Sequence, residues 1–178
     1  MRFKSFFAFA SLLLIACSQP KQPIDITAED LHASVEKVTQ IMIHDIFSPP
    51  VASRIYVYPN ITAYEIMAKN TGEYPSLYKQ IDHLPDFPVT EDPEANPKLA
   101  ALMAHMEISK KLIFSEDRMQ AYQDSLYSQW SAVNPSQFTA SKKYAEEVIA
   151  MALQWIDKDN YKETRTMPKF TVNSDEPA

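Results

Sequence analysis

Side chains able to do nucleophilic, acid–base or metal chemistry are few in this 178-residue chain: one cysteine, Cys17, and four histidines, His32, His44, His83 and His105. A helical zinc site asks for two histidines four residues apart with a glutamate between them, as in His-Glu-x-x-His. His105-Met106-Glu107 has one histidine, and no two histidines lie four apart, so no metal site is assigned. His44-Asp45 closes an apolar-periodic stretch, where a histidine suits the negative end of a helix dipole. Capping and packing therefore outweigh catalysis as its role. Glu146-Glu147 and Asp157/Asp159 are acidic pairs, but acid–base work needs carboxylates opposed across a cleft. Each of these pairs sits on a solvated helix face or helix end. Phosphate-cradling loops, dinucleotide fingerprints and nucleophile elbows need glycines at set places. The chain has a single glycine, Gly72, so none of these can be built, and no catalytic residue is assigned.

One polar set stands out against an apolar background. Residues 51–68 read VASRIYVYPNITAYEIMA, with Arg54, Asn60, Thr62 and Glu65 as the strongly polar members. Arg54, Tyr58, Thr62 and Glu65 fall at i, i+4, i+8 and i+11 and so share one stripe of a helix. A helix apolar nearly all round belongs inside a bundle, and a buried charge is unfavourable unless paired. Arg54, Tyr58 and Glu65 thus form a candidate buried polar stripe. Arg54 and Glu65 are expected to find partners, in this chain or in sequence that packs on it. Pro59 is expected to kink the helix.

The elements that must hold these residues follow from periodicity and proline breaks. Thr27 is a helix N-cap, with Glu29 and Asp30 in the first turn. Leu31, Val35, Val38, Met42 and Ile46 mark one face of the first helix, which Ser48-Pro49-Pro50 stops. Residues 71–96, with Pro75, Pro85, Pro88 and Pro93, read as an irregular excursion with one helical turn near 76–81. Asn96-Pro97 starts another helix, with an apolar face of Leu99, Leu102, Met103, Met106 and Ile113. Ser115-Glu116-Asp117 opens the next, through Met119, Tyr122, Leu126 and Trp130 to Asn134-Pro135. Ser136 caps a last long helix with Tyr144, Val148, Met151, Leu153 and Trp155 as buried candidates, ending near 157–160. No alternating apolar run bounded by turns marks a strand. The expected fold is all-α, a bundle of about five helices spanning residues 27–160, followed by an extended tail over 161–178.

The amino terminus carries an export pattern. Arg2 and Lys4 precede FFAFASLLLIA, an apolar run of 11 residues over 6–16. That run suits a signal peptide and falls short of the ~20 apolar residues that span a bilayer. Leu14-Ile15-Ala16-Cys17 resembles the lipobox of bacterial lipoproteins, in which a small residue precedes the cysteine that receives diacylglycerol. The expectation is a signal peptide over 1–16 and lipid attachment at Cys17. A polar, proline-containing tether over 17–26 follows. The protein is then exported and anchored in the bacterial cell envelope, on the periplasmic side or in the outer membrane. With Cys17 acylated, no thiol is left for a disulfide or a nucleophile.

Cleavage before Cys17 would leave 162 residues, enough for one domain with a real core. It would also leave 15 basic against 23 acidic side chains. That balance argues against nucleic acid as a partner and against adhesion to anionic head groups; the membrane contact is expected through the lipid anchor.

The stretch Phe47-Ser48-Pro49-Pro50-Val51-Ala52-Ser53-Arg54-Ile55-Tyr56, with Tyr58 and Ala63-Tyr64-Glu65, resembles the N-terminal helical region of bacterial vanadium-dependent haloperoxidase-like proteins. These belong to the type 2 phosphatidic acid phosphatase/haloperoxidase superfamily, and many from Bacteroidetes-type bacteria are lipoproteins. Trp155, Asp159, Tyr161 and Arg165, with Pro168, are similar to the end of that region. The resemblance covers most of residues 25–175. It implies a vanadate or phosphate pocket built from Lys, Arg-Pro, Pro-Ser-Gly-His and Ser-Arg…His motifs further along such a protein. None of these is in this chain: Pro75-Ser76-Leu77 and Pro135-Ser136-Gln137 begin like the third motif, but no Gly-His follows either. The chain therefore looks like the front of such a protein, ended before its active site. No cofactor is expected in this chain, although vanadate is implied for the full-length family member. The expected role is a helical scaffold, inactive alone, with the missing C-terminal half as its partner. The alternative is a complete, non-enzymatic envelope lipoprotein acting as a helical interaction module.

Overall fold

In the computed structural model the described residues run from 22 to 168; the leader, Cys17 and residues 169–178 lie outside them. The chain enters the domain held by two helix caps. Asn96 Nδ2 donates to the carbonyl of Ile24 at 3.0 Å, and Asn134 Nδ2 donates to that of Gln22 at 3.1 Å. The Ile24 amide donates to Gln137 Oε1 at 2.6 Å, and Ile24 and Ile26 are buried in the core. Residues 22–26, expected as part of a tether, are thus packed and hydrogen-bonded, because their two isoleucines alternate into the core.

Helix α1 (Ala28–His44) starts where Thr27 donates from both its amide and its hydroxyl to Asp30 Oδ2, at 2.8 and 3.0 Å. Its face is completed by Val38, Ile41 and Met42. Ile46, placed on that face by periodicity, instead lies beyond the helix at φ +57° and is 87% exposed. The helix has already ended at His44, so the 3.6-residue period no longer sets its direction. Helix α2 (Pro49–Thr71) begins on the two prolines that close α1, since proline is preorganised for a first helical turn. The helix continues through Pro59. Asn60 Nδ2 and Thr62 Oγ1 donate to the carbonyls of Tyr56 and Tyr58, at 2.8 and 2.9 Å. Gly72 ends α2 in the left-handed conformation, φ +67°.

Residues 73–96 are irregular. The helical turn expected near 76–81 is a hydrogen-bonded turn instead, with the Gln80 and Ile81 amides donating to the carbonyl of Leu77. Leu84 and Phe87 pin this excursion to the core. Helix α3 (Pro97–Leu112) follows, with Asn96 Oδ1 accepting from the amides of Lys98 and Leu99. It touches α1, α2, α4 (Glu116–Val133) and α5 (Pro135–Lys158), and Leu99 through Met106 are all buried. The centre of the bundle is therefore α3; α2, expected inside, keeps Val57 47% exposed.

The α5 cap is Asn134, whose Oδ1 accepts from the Gln137 amide at 3.2 Å. It takes the place expected for Ser136, because Pro135 already occupies the first helical position. The tail expected from residue 161 instead opens with a helical turn, α6 (Tyr161–Thr164). Tyr161 is fully buried and donates to the carbonyl of Leu112 at 2.8 Å. Among the described residues the fold is all-α, five long helices and this terminal turn. Among the described residues the only pairing of strand type is an isolated bridge, Tyr78–Ile81, and no helix is long and apolar enough to cross a membrane.

Candidate functional site

The polar stripe of α2 divides between two places. At its amino-terminal end, Arg54 reaches the junction of α5 and α6. Its Nε donates to Tyr58 Oη at 3.0 Å, Nη1 to Thr164 Oγ1 at 2.6 Å, and Nη2 to the carbonyl and the Oδ2 of Asp159 at 2.9 and 2.8 Å. The Tyr58 hydroxyl donates to the same Asp159 oxygen. Burial works against the Arg54 charge, but the Tyr58 and Asp159 oxygens outweigh it and hold the guanidinium pKa above its ordinary value. Burial also raises the Tyr58 phenol, and the Asp159 carboxylate adds to the effect. Aromatic rings close the cluster. The guanidinium lies 4.9 Å from the centroid of Tyr161, and Tyr58 meets Trp155 and Tyr161 edge-on at 5.3 and 6.0 Å. Arg165 stacks on Phe114 at 5.0 Å and on Tyr161 at 5.8 Å. Burial pushes the Tyr161 phenol up to about 12.

Further along α2, Glu65 is fully buried. It accepts from Ser76 Oγ and from the Leu77 amide, both at 2.6 Å, and so fastens the 73–96 excursion to the bundle. Thr62, also fully buried, bonds within its own helix. Arg54 and Tyr58 are thus one site, and Glu65 is another.

The histidines are dispersed. His32, His44 and His83 are exposed, whereas His105 on α3 is 2% exposed with Nδ1 2.9 Å from Ser34 Oγ of α1. Burial lowers its pKa to about 4, so at neutral pH it is an uncharged core hydrogen-bonding group. Next to His44 in the chain, Asp45 at the end of α1 accepts from the amides of Phe114 and Ser115, at 2.9 and 3.0 Å, and from Ser115 Oγ. Burial acts to raise this carboxyl, but those bonds prevail and hold it below the usual range.

A polar cleft of about 480 Å³ lies between α3, α4 and α5. Glu107 pairs there with Lys110 at 2.6 Å and accepts from Gln123 Nε2 at 3.1 Å. Burial opposes the Glu107 charge, and Lys110 and Gln123 more than compensate, so its pKa is lowered. On the other side of the bundle, an apolar groove of about 760 Å³ runs between α1 and α2. Ile61, Tyr64 and Met67 line one wall. These residues are neither charged nor alternating, so the polar stripe of α2 does not include them. The signal for them was α2's lack of a polar face.

Vanadate or phosphate needs several cationic and N–H donors converging without a competing carboxylate. Arg54 is claimed by Asp159, Lys110 by Glu107 and Lys69 by Asp86. The described residues contain no group of three or more His, Cys, Asp or Glu side chains suited to a metal ion. The Arg54 cluster therefore does not fit an oxyanion cofactor. What the Arg54 cluster can do is structural: it locks α2 to the α5–α6 junction by one ion pair, four hydrogen bonds and edge-on ring contacts.

No family model matches the chain, and neither does any curated protein. Among solved structures, it is similar to the crystal structure of a bacterial vanadium-dependent iodoperoxidase, with 53% sequence identity and a TM-score of 0.82. The likeness covers 89% of this chain and 38% of that one, so the chain spans well under half of that protein's length.

Proposed function

We propose that this chain, a relative of the vanadium-dependent haloperoxidases by fold and sequence, is the helical scaffold of a membrane-anchored haloperoxidase- or acid-phosphatase-like protein. The observation that carries the reading is the 53% identity at a TM-score of 0.82 to an iodoperoxidase of which the chain covers 38%. The two stretches that carried the sequence resemblance support it, since Arg54 and Tyr58 of the first meet Trp155, Asp159 and Tyr161 of the second in one cluster. Such a cluster holds a shape and leaves no donors for an oxyanion. The vanadate- or phosphate-binding motifs then come from sequence this chain does not contain, and the chain alone is inactive. Its membrane attachment is through acylated Cys17, on the envelope side.

The test is complementation. The chain by itself, given vanadate, hydrogen peroxide and iodide, should form no oxidised iodine, and given a phosphomonoester it should release no phosphate. Adding a polypeptide that carries Pro-Ser-Gly-His and Ser-Arg…His should restore one of these activities. Turnover by the chain alone, or a complex that stays inert toward both substrates, would overturn the reading. The anchor is checked separately by mass spectrometry of the membrane-extracted protein, which should place diacylglyceryl on Cys17.

A further inference from the structure

The chain enters and leaves the bundle at opposite ends. Entry is fixed by the caps of α3 and α5: Asn96 holds the Ile24 carbonyl and Asn134 holds that of Gln22. Helix α1 begins two residues after Ile26, so α1, α3 and α5 all start at this end. The exit is fixed at the far end of α3. Tyr161 Oη and Arg165 Nη1 both donate to the carbonyl of Leu112, the last residue of α3, at 2.8 and 3.4 Å. The end of α1 is there too, since Asp45 bonds the Phe114 and Ser115 amides. Helix α3 has 16 residues, so about 24 Å separates entry from exit.

Only residues 18–21 lie between Cys17 and Gln22. The steps from Cys17 to Gln22 reach at most ~18 Å when fully stretched, whereas a free tether running to residue 26 would reach ~32 Å. A lipid on Cys17 thus keeps the entry end within that shorter reach of the bilayer. The bilayer forbids every orientation that would sink the far end into it, so a bundle on a short tether carries its exit end outward on average. The surface beside the entry adds no adhesion. Asp25, Glu29, Asp92 and Glu94 are exposed there against Lys98, and carboxylates are repelled by anionic head groups within about a Debye length, ~8–10 Å. We infer that the starts of α1, α3 and α5 form the membrane-facing end of the bundle, and that the Arg54 cluster and residue 168 face the aqueous space. The partner of this face is a bilayer surface, held through acyl chains alone. The inference rests on the Cys17 anchor proposed above.

The experiment places the acylated protein in vesicles of phosphatidylethanolamine and phosphatidylglycerol that carry an acceptor dye on their head groups. A donor dye is attached at one of two exposed positions, Ala132→Cys beside Asn134 at the entry or Glu163→Cys on α6 at the exit. Acylation consumes the chain's one cysteine, so each variant has a single thiol. Energy transfer from A132C should exceed that from E163C by roughly twofold or more, given about 24 Å along the bundle. Inserting a flexible segment of about 20 Gly and Ser residues between Lys21 and Gln22 should lower both and shrink the contrast. Equal or reversed transfer with the natural tether, or a contrast that the insertion leaves unchanged, would overturn the orientation and leave the anchor standing. Protein that lacks diacylglyceryl on Cys17 and stays off the vesicles would overturn both. Cys17→Ser protein should stay in solution; its adhesion to the vesicles would reveal a lipid-binding face independent of acyl chains and overturn the inference.

Discussion

Arg54 and Asp159 lie 105 residues apart in the chain, and one nitrogen joins them: Arg54 Nη2 donates to both the backbone carbonyl and the carboxylate of Asp159. The first bond fixes where α5 ends, and the second neutralises the charge that α2 brings inward. Asp159 remains more than half exposed, so solvent screens the ion pair. The hydrogen bonds and ring contacts supply more of the stabilisation than the charges do.

Replacing Arg54 with methionine keeps the apolar stem and removes those bonds. It should lower unfolding stability by roughly 2 kcal/mol. Asp159→Asn, which keeps the carbonyl and an acceptor oxygen, should cost about 1 kcal/mol or less. A double-mutant cycle in urea should give a coupling energy near 1 kcal/mol. A null coupling would show that the pair is held in place by its neighbours alone.

Protonation of His105 should couple stability to pH. Its folded pKa of about 4 lies below the ordinary 6.5, so the unfolded chain binds more protons between those values. The contribution is fully present above pH 6.5 and is lost as pH falls toward 4. The expected loss is roughly 2 kcal/mol between pH 7 and pH 5. Urea titrations at the two values measure it, and His105→Gln should remove that part of the slope. An equal slope in the variant would show that His105 does not carry it; Asp45, held below the usual carboxylate range, loses its contribution only at lower pH.

Glu65→Ala should release the excursion from the bundle. It leaves the Leu77 amide and the Ser76 hydroxyl without their acceptor, a loss of about 2–3 kcal/mol for bonds to a buried charged group. Amide exchange over 76–81 should quicken well before the protection of α3 is affected. Uniform loss of protection across the protein would mean that the excursion and the core unfold together.

Gly72→Ala isolates one backbone effect. Nothing lies within 4 Å of an added Cβ there, yet φ is +67°. Any destabilisation therefore comes from the left-handed conformation itself, about 1 kcal/mol. Gly72→Asn, which tolerates that conformation better, should recover part of it. A neutral alanine variant would show that α2 ends differently once the glycine is gone.

The helices were legible because their determinants are local. Thr27, Asn96 and Ser115 stand where caps are needed, prolines break the chain, and apolar residues recur at helical spacing. Those signals lie within a few residues of what they specify. Misreadings cluster at element ends, where a local pattern has two continuations: Ser136 and Asn134 are both cap residues around one proline, and Ile46 extends a periodicity that the helix does not follow. At the level of the site, the sequence could require a partner for Arg54 and for Glu65, since neither charge is stable buried alone. It could not choose that partner. Asp159 reads as a solvated helix end, and Ser76 as a loop residue.

The sequence by itself therefore determined the all-α class, the helix positions and the demand that α2's charges be met. Tertiary structure alone decided that α3 is the centre, that Asp159 answers Arg54, and that α1 and α2 diverge to leave an apolar groove. The physical reason is range. Backbone hydrogen bonds and helical periodicity close within about four residues. The pairing of a charge across 105 residues, or a gap between two helices, depends on how whole elements pack, and many sequences with the same local pattern could settle that differently.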